Sequence, residues 1–150
     1  MTTIATDGRT MAGDGLCLDG GDAITSLDIV KVRRLKNGGI VGVAGSAFDI
    51  DAFVDWLDGP QSEPPKDMWE KTEALALMPD GRCYFYNDKG KRFETSLPAV
   101  TGSGSDLAMG AMAAGKSPAE AVEIACANHA SSGGTITALS LENITAMRAA

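Results

Sequence analysis

Thr2 can carry both halves of a hydrolytic reaction if Met1 is removed, because one residue then bears a hydroxyl and a free α-amine. A hydroxyl is a weak nucleophile until a base takes its proton, and an N-terminal amine is a recognised base for threonine. The ordinary pKa of such an amine, about 7.7–8.0, leaves a useful neutral fraction near physiological pH. Threonine is small, which favours loss of the preceding methionine in a cell. Without that loss, the same stretch reads as an edge strand that starts with two threonines. The other reactive types give no such signal. Cys17, Cys83 and Cys126 are odd in number and widely spaced, with neither a zinc spacing nor a disulfide framework, and read as buried free thiols. A single histidine, His129, cannot by itself make a metal site. No metal and no cofactor are expected.

The elements that must position Thr2 follow from local pattern. Thr3, Ile4, Ala5 and Thr6 suit a strand, and Asp7-Gly8 is a hairpin signal that turns it into a second, Arg9 to Asp14. Residues 15–27 are rich in Gly and Asp and predict a loop with a short strand. Asp28–Leu35 alternates, with Ile29, Lys31 and Arg33 on one face. Asn37-Gly38-Gly39 then turns into the apolar strand Ile40–Ala44. From Ala47 to Leu57, the spacing of Phe48, Ala52, Phe53, Trp56 and Leu57 predicts an amphipathic helix, stopped by Gly59-Pro60 and a Pro-rich loop to residue 67. Strands are predicted at 73–78, 82–87, 92–96 and 98–101. Helices follow from Ser105 to Gly115 and, behind the capping box Ser117-Pro118-Ala119-Glu120, to about Asn128. Thr135–Leu139 and Ile144–Arg148 are predicted as closing strands. This order predicts an α+β architecture of two antiparallel sheets with helices on their outer faces.

The bounds agree. The chain has 150 residues, 44% hydrophobic and 22% charged, which suits one domain with a full core. A net charge of −7 argues against a nucleic-acid surface, which needs a basic stripe. The basic run Lys31–Lys36 reads locally as a solvated strand face. No apolar run approaches a membrane span and no secretory leader precedes the first strand, so a cytoplasmic protein is expected, with no membrane partner.

Several segments, taken in order, resemble a known family: Thr2-Thr3-Ile4, Ala12-Gly13-Asp14-Gly15, Lys31-Val32-Arg33-Arg34-Leu35, Gly42–Asp49, Gly102-Ser103-Gly104-Ser105 and Ser132-Gly133-Gly134. Together they are similar to proteasome β-type subunits, including the HslV peptidase, of the N-terminal-nucleophile (Ntn) hydrolase superfamily. The resemblance spans nearly the whole chain. It implies a four-layer α-β-β-α sandwich of two antiparallel sheets, here lacking one of the usual helices, over residues 1–150 as a single domain.

It also implies roles. Thr2 would be the nucleophile, and Lys31 the lysine whose ammonium eases deprotonation of the hydroxyl. Asp14 would pair with Lys31, and Gly45 would offer a backbone N–H to the developing oxyanion. Ser103 and Ser132 would hydrogen-bond near the nucleophile's amine. Cys17, Ile29, Val43 and Ala47 would line the pocket for the residue before the cut, while Leu18 offers backbone to an extended peptide.

Two positions depart from the family pattern. His129 stands where an aspartate is usual, and one helix rather than two follows the strand ending near Gly45. The second departure removes surface on which a stacked ring would dock. The leading expectation is a threonine endopeptidase cleaving unfolded polypeptide inside a homo-oligomeric ring, with an ATP-dependent unfoldase as a possible partner. The alternatives are an Ntn amidohydrolase acting on small amides and an inactive scaffold subunit.

Overall fold

The structure, a computed structural model, describes residues 2–60, 63 and 71–142. β1 (Ile4–Thr6) turns into β2 (Thr10–Gly13). At this turn Asp7 Oδ1 accepts from the N–H groups of Arg9 and Thr10, and Gly8 takes the left-handed backbone that a side chain would strain. A two-stranded ribbon, β3 (Cys17–Leu18) and β4 (Ile24–Ser26), follows. Then come β5 (Val32–Arg34), β6 (Ile40–Ala44) and the helix α1 (Ile50–Asp58). The chain continues through β7 (Glu73–Leu77), β8 (Cys83–Tyr86), β9 (Arg92–Thr95) and β10 (Ala99–Thr101). Helices α2 (Ser105–Ala113) and α3 (Pro118–Asn128) precede β11 (Thr137–Ser140). α3 starts at the expected capping box, in which Ser117 Oγ accepts the Glu120 N–H and the Glu120 carboxylate accepts the Ser117 N–H.

All strand pairs are antiparallel. One sheet has the order β10-β1-β2-β11 and the other β5-β6-β7-β8-β9. Three apolar clusters explain why these elements stay together. Ile4 and Met11 of the first sheet pack with Val32, Ile40, Leu75 and Leu77 of the second. α1 covers the second sheet through Ile50, Phe53, Val54 and Leu57, which meet Val41, Val43 and Tyr86. α2 and α3 lie against Ala5 and Ala12 of the first through Ala108, Met112, Ala121 and Val122. Gly42 lets the sheets approach: a Cβ there would meet Ile4 Cγ2 at 2.5 Å and Met11 Sδ at 2.9 Å.

Four expectations change. The 28–35 strand is shorter, Val32–Arg34, and Lys31 is buried rather than solvated. Arg33, beside it, reaches Asp51 of α1 at 2.7 Å. Residues 47–49 form a 3-10 turn, so the α-helical register begins at Ile50 and Phe48 is left 96% exposed instead of packing. Only Cys83 is fully buried, where loss of solvent pushes its thiol up to about 12; Cys17 and Cys126 are half-buried. The predicted strand 144–148 and most of the predicted loop 59–67 lie outside the described residues. Among the described residues no helix is long and apolar enough to cross a membrane, and no group of three or more His, Cys, Asp or Glu could hold a metal ion.

Candidate active site

Antiparallel neighbours bring the end of one strand beside the start of the next. The residues before β1, after β2, after β10 and before β11 therefore meet at one end of the first sheet. The residues before β5, after β6 and before β7 meet in the same way on the second. Thr2, Asp14, Ser103 and Ser132 occupy the first set of positions, and Lys31 and Gly45 the second.

Lys31 is the centre of the arrangement, 4% exposed. Its ammonium donates to Thr2 Oγ1 at 3.2 Å, Asp14 Oδ1 at 3.0 Å and the Leu16 carbonyl at 2.7 Å. Asp14, wholly buried, also accepts the Thr3 N–H on Oδ1 at 3.0 Å. Its Oδ2 takes the N–H groups of Leu16 at 3.4 Å and Gly133 at 3.1 Å. A buried carboxylate without such partners would be costly, and here a cation and three backbone donors surround it. Its charge is felt at Cys126 on α3, whose thiol is raised chiefly by burial and further by Asp14.

Ser103 holds the main chain of Thr2. Its Oγ accepts from the Thr2 N–H at 3.1 Å, and the Gly104 N–H donates to the Thr2 carbonyl at 3.2 Å. Gly102 has φ +98°, and a Cβ on it would collide with the Thr2 carbonyl, so only glycine allows this approach. Ser132 Oγ is 2.7 Å from Thr3 Oγ1. The hydroxyl it reaches is thus that of the residue after Thr2.

Two hollows lie against the partners of Thr2, which is itself buried and lines neither. A cleft of about 510 Å³ is lined by Leu16, Cys17, Leu18, Lys31, Val43, Gly45 and Ala47, among others. A smaller hollow of about 250 Å³ is lined by Ala44, Gly45, Lys71, Glu73, Gly102 and Ser103. Gly45 borders both, with φ +137° and its α-carbon packed on Thr72. Of the expected pocket residues, Cys17, Val43 and Ala47 line the large cleft, as does Leu18, the expected backbone contact. Ile29 does not; it is half-buried against the cluster beneath α1.

Neither a protein-family model nor a curated protein matches the chain. Solved structures do. Thiobacillus denitrificans BPH superposes with a TM-score of 0.69 at 21% identity, over 95% of this chain and 98% of that one. The same protein in complex with epoxomicin gives 0.71 at 22%, over 95% and 100%. Eukaryotic HslV from Trypanosoma brucei gives 0.67 at 17%, over 93% and 99%. The chain has an HslV-like fold.

Within this HslV-like fold, His129 is the C-cap of α3. Its carbonyl accepts the Ser132 N–H at 3.2 Å and its Nδ1 faces the Ser131 N–H at 3.2 Å. Its ring is therefore turned to its own loop, and the residue shapes the turn that carries Ser132. Sequence reasoning passed over Thr3, Leu16 and Glu73. Thr3 joins Asp14 and Ser132, Leu16 supplies a carbonyl to Lys31, and Glu73 borders the smaller hollow. Gly133 was visible only as part of its Ser-Gly-Gly motif; its N–H on Asp14 spans 119 positions of sequence, beyond any local pattern.

Proposed function

We propose that the protein is an N-terminal threonine peptidase built as a single four-layer Ntn-hydrolase domain over residues 1–150. The observation that carries this reading is the Lys31 ammonium, shared between Thr2 Oγ1 and Asp14 and buried with both. An ordinary strand threonine has no need of a buried, paired lysine on its hydroxyl.

Removal of Met1 converts the nitrogen held by Ser103 into an amine. Thr2 Oγ1 attacks the scissile carbonyl as its proton passes to that amine, and the nearby cation favours the alkoxide. Negative charge on the carbonyl oxygen is met by the Gly45 N–H. Collapse of the tetrahedral species expels the amine half of the peptide, which takes its proton from the Thr2 ammonium and leaves an ester on Oγ1. The same amine then activates water to release the acid half. Cys17, Val43 and Ala47 offer a small apolar surface to the residue before the cut, and Leu18 offers strand-like backbone. Unfolded polypeptide is the proposed substrate, cut in the cytoplasm within a homo-oligomer that an ATP-dependent unfoldase can feed.

Covalent labelling tests this. An epoxyketone peptide has two electrophilic carbons that can engage Oγ1 and the α-amine of one terminal threonine. Mass spectrometry is expected to map its adduct to Thr2 in Met1-free protein. Met1 retained on protein from its native host would overturn the amine mechanism. Labelling without cleavage of casein or short peptides would favour small amides as substrates. Light scattering on the same sample is expected to show self-association, with a single ring or smaller oligomer more secure than stacked rings, whereas a strict monomer would favour the small-amide or scaffold readings.

A further inference from the structure

Leu75 and Leu77 of β7 point into the apolar layer between the two sheets. Alternation along the strand places Glu73 on that same side, at its exposed end, where a carboxylate could simply face water. Its carboxylate instead crosses to the other sheet: Thr101 Oγ1, 3% exposed, donates to Glu73 Oε2 at 2.7 Å. The two ends of this bond matter. Glu73 pairs with Ala44, the residue before Gly45, and Thr101 pairs with Ile4 and precedes Gly102-Ser103. One hydrogen bond therefore ties the strand end leading into Gly45 to the turn that holds Thr2. Glu73 and Ser103 also line the same small hollow, and Ser103 Oγ is 3.1 Å from the Thr2 nitrogen.

We propose that Glu73 is a positioning residue that fixes the Thr101–Ser103 turn against Thr2 and sets a negative charge beside the α-amine that loss of Met1 creates. The inference rests on the N-terminal nucleophile reading, since only then does the amine exist. The other charged or titratable groups in the contacts of this region are Lys31, bonded to Thr2 Oγ1, Asp14, bonded to the Thr3 N–H, Lys71, which lines the same hollow as Ser103, and Cys126 on α3, which feels Asp14 and Lys31. A neighbouring anion favours an ammonium over an amine, so Glu73 raises the pH at which Thr2 becomes a base; Lys31 and Lys71 act in the opposite sense.

The test uses Met1-free protein carrying ¹³C in its threonine methyl groups, with the Thr2 methyl shift followed against pH. Glu73→Gln keeps an oxygen for the Thr101 hydroxyl and removes only the charge. It is expected to lower the Thr2 midpoint by about 0.5–1 pH unit, and the acid limb of the peptidase pH–rate profile by the same amount. Thr101→Val keeps the charge and removes the tie; it is expected to lose roughly tenfold in kcat with the midpoint in place. Should Glu73→Gln fail to fold, Glu73→Leu extends the apolar side of β7 and is expected to show both effects. An unchanged midpoint in the folded Glu73 variant would overturn the proposal. The titration is readable whether or not peptide is cleaved. Failed epoxyketone labelling with a shifted midpoint would therefore count against the peptidase reading alone.

Discussion

Thr2→Ala is expected to reduce amide hydrolysis to background, a loss of about 10⁴–10⁶-fold in kcat, while the fold persists. The substitution removes the hydroxyl that Lys31 holds at 3.2 Å but keeps the backbone nitrogen bonded to Ser103. Alanine still fits the edge of β1, and Lys31 keeps Asp14 and the Leu16 carbonyl. Thr3→Ala is the internal control. It breaks the 2.7 Å hydroxyl pair with Ser132, yet leaves the nucleophile and the Thr3 N–H on Asp14, so its effect should be far smaller. Peptide assays on purified protein decide the matter, and full activity in Thr2→Ala would sink the mechanism.

Lys31→Met is expected to lose about 10²–10⁴-fold in rate, the range for a group that assists proton transfer. It should also destabilise the protein, because Asp14 is wholly buried and would lose its cation; breaking a buried pair from one side costs about 3–5 kcal/mol. Rate and stability can be separated with Lys31→Met combined with Asp14→Asn, in which neither charge remains. Urea unfolding should show much of the stability restored, and peptide assays should show the rate still lost. If the double variant regained activity along with stability, Lys31 would be a structural cation only. Arginine is not expected to rescue position 31, since its planar head cannot reproduce three bonds made by a compact ammonium.

Much of the fold was legible because its signals are local. Ile40–Ala44 is an unbroken apolar run bounded by Asn37-Gly38-Gly39 and Gly45, and it forms β6 with those limits. Ser117 and Glu120 are three residues apart and cap α3 as expected. Phe48 was misjudged because periodicity cannot tell a 3-10 turn from the first turn of an α-helix when apolar residues continue through both. The site was far less legible from local pattern. Lys31 alternates with its neighbours as any strand lysine would, and the acid it meets is Asp14, 17 positions earlier and just past the end of β2 in the other sheet. Only the resemblance brought Thr2, Asp14, Lys31, Gly45, Ser103 and Ser132 together in advance. Glu73 stayed hidden because its partner, Thr101, is 28 positions away and neither belongs to a motif.

The four donors to Asp14 also set an order of events during synthesis. Thr3, Leu16 and Lys31 emerge early from the ribosome, but Gly133 follows Asp14 by 119 positions. β1 pairs with β10, and β2 with β11, so the nucleophile's sheet stays open on both sides until Thr101 and Ser140 have arrived. Pairings so distant in sequence form late, because the chain between them must first be closed into a loop. A nascent chain therefore carries its threonine without the machinery that would arm it. Under the proposed mechanism, long-range topology would act as a timer, delaying hydrolysis until most of the polypeptide has been made.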